Sequence, residues 1–204
     1  MWIDISAAVD EETAVYPGDP AFKAVKLSET DTDGFCMHRL TVGTHCGTHI
    51  DAPRHFIKRG RTVDAIEPEA VNGLCRVLMF NETGDITKKF VEENHIMPGE
   101  RILFKTWASL GGEKNIRENY PGISKEAAEL LALIKPACIG IDTMSIEPQG
   151  GDGDVHRRIL GEDIPVIETL VLKNVTPGIY RLHCLPLKLS GLDGSPVRAM
   201  LETI

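Results

Sequence analysis

Three histidines, an aspartate, two glycines and a proline crowd into the fourteen positions GTHCGTHIDAPRHF, residues 43–56. On a helix His45 and His49 would share one face, four residues apart, as in the H-E-x-x-H helix of metalloproteases. The residues between and around them refuse that form: Cys46 stands where the glutamate would be, and Gly43, Thr44, Gly47, Thr48 and Pro53 are poor helix formers. Extended backbone fits better, with His45, Gly47, His49 and Asp51 on one face and Thr44, Cys46, Thr48 and Ile50 on the other. A straight strand would hold His45 and Asp51 about 20 Å apart, too far for one ion to bridge. The segment must bend, and Gly47 is the residue that permits a bend or bulge.

Two histidines and a carboxylate converging on one point suit Zn²⁺, Mn²⁺ or Fe²⁺, and three protein ligands leave a position for water. A carboxylate can also bridge two metals, which then need further ligands; His156 and Glu168, each beside an expected element end, are the candidates. His55 lies beyond Pro53 and fits a general acid/base beside the metal, because a histidine pKa can be held near neutrality. Strand parity turns the Cys46 thiol away from the imidazoles, which disfavours a Cys-His nucleophile. The same two-histidine, one-carboxylate set also describes the facial triad of Fe(II) oxygenases, a rival enzyme class. A metal-binding protein without turnover is a second rival.

The partners follow from charge. A net charge of −8 argues against general affinity for nucleic acid or anionic membrane, so a small-molecule substrate is expected. No apolar run reaches the roughly 20 residues that span a bilayer, and the opening MWIDIS has neither a basic start nor a long apolar stretch, so the expectation is a cytoplasmic protein. The five scattered cysteines include no Cys-x-x-Cys pair and read as free thiols.

Short apolar runs supply the frame. MWIDISAAV, HRLTVGTH, CRVLMFNET, ERILFKTWAS, ACIGID, IPVIETLVL and GIYRLHCLPLKL read as strands. SKEAAELLALIK reads as a helix capped by Ser124 and stopped by Pro136, with shorter helices expected in TKKFVEENH and in DVHRRILGED, the last ending at Gly161. YPGDP is a turn or loop, and EPQGGDGD a glycine-rich loop. Strands alternating with helices predict an α/β fold, one domain over residues 1–204 with a mixed β-sheet flanked by helices. Asp142 and Ser145 follow a strand end, where loop residues often line sites. Asp193, Gly194, Ser195 and Pro196 read as turn chemistry. Arg198 is expected to pair with a buried carboxylate in a structural role, or else with a substrate carboxylate, and Trp107, Phe22, Phe35 and Phe56 either stack on an aromatic substrate or belong to the core.

HCGTHIDAPRHF resembles the H-x-G-T-H-x-D-x-P-x-H motif of the cyclase-like metal hydrolases, the family that contains bacterial kynurenine formamidase and isatin hydrolase. The resemblance extends through IDIS, YPGDP, GIDTMSIEP, VHRRILGEDIPVIETL and LPLKLSGLDGSPVRAML, in the family's order. It implies metal ligands at His45, His49 and Asp51, with His156 and Glu168 completing a two-ion Zn or Mn centre and His55 as catalytic base or acid. It also implies a swivelling β/β/α fold, a homo-oligomer (dimer or tetramer), and hydrolysis of an amide-type C–N bond. Arylformamidase action on N-formyl-L-kynurenine, in tryptophan catabolism, is the leading expectation; opening of an isatin-like lactam, lactone hydrolysis or cyclisation is the alternative. Two departures bear on the substrate: Tyr16 stands where formamidase members tend to carry Trp, and their S-x-D-P block is here Ser145, Ile146, Glu147, Pro148. Tyr16, Phe22 and Ser145 are the candidate substrate contacts.

Overall fold

The computed structural model describes residues 1–111 and 120–204. Among the described residues there are ten strands: β1 (Trp2–Asp4), β2 (Lys23–Ser28), β3 (Met37–Thr41), β4 (His49–Asp51), β5 (Asn72–Phe80), β6 (Arg101–Thr106), β7 (Cys138–Ile141), β8 (Val166–Glu168), β9 (Gly178–Pro186) and β10 (Gly194–Thr203). The longest helices among the described residues are α1 (Lys88–Glu93), α2 (Lys125–Ile134) and α3 (Asp154–Gly161).

Eight strands form one mixed sheet in the order β1-β10-β4-β8-β7-β6-β5-β9, and a further β10–β9 pairing closes it into a ring. β5, β6, β7 and β8 run parallel to their neighbours in that run, while β4, β9 and β10 pair antiparallel. This is the mixed sheet with flanking helices that the alternation of apolar runs predicts. β2 and β3 stand apart as a two-stranded ribbon. The ribbon's apolar positions Leu27, Met37 and Leu40 are about half exposed.

Strand parity divides the core in two. Cys75, Val77, Leu103, Cys138, Ile167, Leu182, Ala199 and Leu201 pack inside the ring together with Ile50. The alternate positions Leu78, Phe80, Ile102, Phe104, Ile139, Ile141 and Val166 face outward against Ala127, Ala128 and Leu131 of α2 and Val155, Ile159 and Leu160 of α3. Each Val, Leu, Ile or Phe among them removed from water stabilises the fold by roughly 1.5–3 kcal/mol before entropy is counted. α2 begins where Ser124 accepts a hydrogen bond from the Ala127 amide and ends at Lys135 in a left-handed cap, so its bounds follow the sequence signals. α1 starts in the same way at Thr87.

β2 and β10 are strands that the sequence reading lacks. Asp193 to Pro196 read as a turn, yet Gly194–Pro196 pair with β4 and Val197–Thr203 pair with β9. Pro196 sits where the strand changes partner, a position at which a missing N–H costs little. Arg198 lies outside this ring, paired with Asp4, as a structural ion pair.

Candidate metal centre

Gly47 makes the bend that the ligand spacing demands. Its φ is +64°, and a Cβ there would meet Val9 Cγ2 at 2.7 Å, so both backbone and space call for glycine. His45 therefore lies in a turn rather than in β4, while His49 and Asp51 stand two apart on the strand. Ile50 between them points into the ring interior, so parity sends His49 and Asp51 to the outer, helix-bearing face. Register sets His49 of β4 directly opposite Glu168 of β8. Pro53 ends the strand by opening a 3-10 turn that carries His55. Packed on that same outer face, α3 delivers His156 from its first turn.

Two sets of donors meet at Asp51. His45, His49 and Asp51 offer ligand atoms within 4.8 Å of one another, and so do Asp51, His156 and Glu168. His49 Nε2 lies 3.4 Å from Asp51 Oδ1 and 3.4 Å from Glu168 Oε2. His156 Nε2 lies 3.2 Å from Glu168 Oε1 and 3.6 Å from Asp51 Oδ2. Asp51 Oδ2 is buried with no hydrogen-bond partner. A buried, unpartnered carboxylate oxygen facing imidazoles is costly without a counter-charge, and the donor set of nitrogen and oxygen fits a divalent cation on either side of Asp51.

The imidazoles are held from behind. His49 Nδ1 is 2.8 Å from the Gly47 carbonyl oxygen; a carbonyl only accepts, so Nδ1 carries the proton and Nε2 faces the centre. His156 Nδ1 is 3.3 Å from Glu147 Oε2. That same oxygen accepts from the amides of Val155 and His156 at the start of α3. His45 lies between two carboxylates, with Nδ1 2.7 Å from Asp51 Oδ1 and Nε2 2.8 Å from Asp193 Oδ2. His55 Nδ1 lies 3.4 Å from that Asp193 oxygen, and its ring stacks on His45 with centroids 3.9 Å apart. Phe56 stacks on His156 at 4.5 Å.

Without a cation, these neighbours set opposing charges. Burial alone would lower the His49 pKa, but Asp51 and Glu168 raise it to about 10. His156 is likewise raised well above the usual histidine value against its burial, by Asp51, Glu147 and Glu168. Burial pushes the Asp51 carboxyl up, yet the imidazoles of His156, His45 and His49 hold it well below the carboxylate range. His55 goes the other way: its burial outweighs the nearby carboxylates and lowers its pKa, keeping it neutral at pH 7.

A cavity of about 350 Å³ opens onto the centre and is lined by Tyr16, Phe56, Met144, Ser145 and Glu147 along with the histidines. Its size falls within the range of small-molecule sites. Of the sequence candidates for substrate contact, Tyr16 and Ser145 line this cavity, whereas Phe22 is half-buried ahead of β2 and outside the lining. Glu147, one of the two departures that bear on the substrate, lines the cavity and also grips His156. Asp142 is buried and accepts from the Thr106 amide, the Thr106 hydroxyl and Ser109; it lies outside the cavity lining.

Sequence reading missed Asp193 as a site residue, because Asp-Gly-Ser-Pro is a turn signature. No local spacing in the sequence points to it; the structure alone shows Gly194 making room for the histidine, since a Cβ there would meet His45 Cε1 at 2.8 Å.

Residues 3–148 match the Cyclase family. Over the whole chain the sequence is 34% identical to the kynurenine formamidase of Bacillus thuringiensis (strain Al Hakam) and covers 98% of it. Among solved structures, a potential metal-dependent hydrolase with cyclase activity is 30% identical, with a TM-score of 0.88 over 98% of this chain and 96% of the other. Isatin hydrolase A from Ralstonia solanacearum is 26% identical, with a TM-score of 0.82 over 98% and 91% of the two chains.

Proposed function

The chain belongs to the Cyclase family, and from that premise we propose that it is a two-metal hydrolase of a non-peptide amide C–N bond, with N-formyl-L-kynurenine as the leading substrate. The observation that carries this reading is the sharing of Asp51 between two donor sets, His45–His49 and His156–Glu168. The 34% identical kynurenine formamidase supports the substrate. A lone facial triad, as in an Fe(II) oxygenase, has no use for the second set. Lactam opening, as the name of the 26% identical isatin hydrolase suggests, is the alternative within the same chemistry.

His45, His49 and Asp51 would hold one Zn²⁺ or Mn²⁺, and Asp51, His156 and Glu168 the other. When bound, such ions supply Lewis acidity, polarising a carbonyl and lowering the pKa of water from about 15.7 towards 7. The rest is the work of the chain. His55 is neutral at pH 7 because burial lowers its pKa, so Nε2 can take a proton from the attacking water. As the C–N bond breaks, the same nitrogen returns that proton to the departing amine, leaving formate and an aromatic amine. Phe56 and the buried ring of His156 form a dry wall beside His55. Tyr16, half exposed at the cavity edge, and Ser145 are the proposed substrate contacts.

The assembly is proposed to be a dimer or tetramer in the cytoplasm. The half-exposed apolar side chains of the β2–β3 ribbon support association, and the unpaired cysteines fit a reducing compartment. Among the described residues, no helix is long and apolar enough to cross a membrane.

His55→Ala tests the assignment: Zn²⁺ content should stay at the wild-type value while turnover of N-formylkynurenine falls on the order of 10²–10⁴-fold. A metal-loaded wild-type protein that leaves formylkynurenine, formanilides and isatin all untouched would remove the amide-hydrolase reading.

A further inference from the structure

We infer that Asp193 is a positioning residue shared by two histidines, fixing which nitrogen of His45 meets the metal and which nitrogen of His55 faces the substrate. Its Oδ2 lies 2.8 Å from His45 Nε2 and 3.4 Å from His55 Nδ1. The two rings stack with an interplanar angle of 31°, so one carboxylate oxygen reaches the edges of both.

The carboxylate is itself held in place. Thr44 donates its hydroxyl to Asp193 Oδ1 at 3.3 Å, and the Ala52 amide donates to the Asp193 carbonyl at 2.9 Å. Both donors belong to the segment that carries the histidines, so Asp193 is pinned to the ligand loop from two sides. Gly194 beside it leaves the space that the His45 ring occupies.

An ionised carboxylate only accepts hydrogen bonds, so His45 Nε2, 2.8 Å from Asp193 Oδ2, must carry a hydrogen. The same rule puts a hydrogen on His45 Nδ1, 2.7 Å from Asp51 Oδ1, in the metal-free protein; because Asp51 joins both donor sets, Nδ1 is the nitrogen that would exchange its proton for the ion. His49 and His156 are arranged the other way round: their Nδ1 atoms face Gly47 O and Glu147 Oε2, and their Nε2 atoms face the centre. The structure thus assigns Nδ1 ligation to one histidine and Nε2 ligation to two. For His55 the 3.4 Å approach of Nδ1 to Asp193 is an electrostatic contact rather than a hydrogen bond. The negative charge beside Nδ1 favours the tautomer with its hydrogen there, which leaves the lone pair on Nε2. A carboxylate behind an imidazole does this in many metal and acid/base sites; here one carboxylate does it for a ligand and for a proton carrier at once. The His55 part rests on the hydrolase reading above, whereas the His45 part does not.

Long-range ¹⁵N–¹H correlation spectra of the Zn²⁺-loaded full chain read the tautomer of each histidine directly. Expected are a metallated Nδ1 for His45, metallated Nε2 for His49 and His156, and a hydrogen on Nδ1 of His55. Asp193→Asn, close to isosteric, should weaken Zn²⁺ binding 10–100-fold at the His45 set, the range for loss of such a partner. It should also lower kcat about 100-fold with KM little changed, and Asp193→Glu should restore part of both. Metallation of His45 through Nε2, or an Asp193→Asn variant with wild-type Zn²⁺ affinity and kcat, would overturn the inference. A third Zn²⁺ equivalent bound by the wild type and lost in Asp193→Asn would make Asp193 a ligand in its own right and overturn it equally. A wild type with no hydrolytic activity would defeat the proposed function, yet the spectra and Zn²⁺ affinities would still decide the role of Asp193.

Discussion

Loading this protein with a divalent cation at neutral pH should expel protons, and the number expelled can be worked out from the geometry. In the metal-free protein the cluster is neutralised by protons on its imidazoles: His49 has a pKa of about 10, with Asp51 and Glu168 overcoming the effect of burial. A nitrogen must be bare to ligate a metal. At pH 7 a group with a pKa of about 10 is bare in roughly one molecule in 10³, since 10 − 7 = 3. Apparent affinity at pH 7 is therefore reduced by about 10³, or about 4 kcal/mol at 1.36 kcal/mol per pH unit. His156 and His45 are also raised, so filling both sets at pH 7 should release at least two protons. Affinity should climb with pH, about tenfold per unit for each proton released, until the folded-state pKa values are passed. Isothermal titration calorimetry with Zn²⁺ in buffers of different ionisation enthalpy counts the protons. Chelator competition between pH 6 and 8.5 gives the slope. An affinity independent of pH, with no proton release, would refute the claim that the carboxylates hold protonated imidazoles in the metal's place.

Stability should follow the same linkage. The His49 value of about 10 lies above the unfolded histidine value of about 6.5, so its stabilisation of the metal-free protein is complete below about pH 6.5 and lost as pH rises towards 10. The Tm gap between Zn²⁺-loaded and metal-free protein should widen from pH 6.5 to 9 in a calorimetric scan; a constant gap would contradict the assignment. Gly194→Ala sets a Cβ 2.8 Å from both His45 Cε1 and the Ile50 carbonyl, and should cost about 1–3 kcal/mol in denaturant unfolding while reducing the Zn²⁺ affinity of the His45 set. Unfolding and Zn²⁺ titration curves that overlay the wild type would show that the ring can move aside freely. Glu147→Ala removes the partner of His156 Nδ1 and of two amides at the start of α3. Zn²⁺ affinity of the His156–Glu168 set should fall 10–100-fold, with the His45 set unchanged; loss at both sets in dialysis would point to unfolding instead.

Much of the site was legible because its constraints are local. His45, His49 and Asp51 are too close in sequence to avoid one another, and neither straight strand nor helix can gather them, so a bend at Gly47 follows from chain geometry alone; its φ of +64° is that bend. The limits of α2 follow from Ser124 and Pro136 for the same reason, since capping and termination act within one turn. β10 was hidden because proline and glycine signal a turn locally, while its pairing energy comes from β4 and β9, distant in sequence.

By itself, then, the sequence determined that a bent, histidine-rich segment ends in a proline-closed strand within an α/β frame, because backbone sterics and side-chain period are properties of neighbours. Only the tertiary structure decided what stands behind each imidazole. Glu147 against His156 and Asp193 against His45 and His55 are separated from their partners by up to 148 positions. Such contacts depend on which strands pair and on which face each side chain emerges, and no local spacing encodes that. Closure of the ring brings β10 beside β4, and with it the carboxylate of Asp193 to the histidines that it orients.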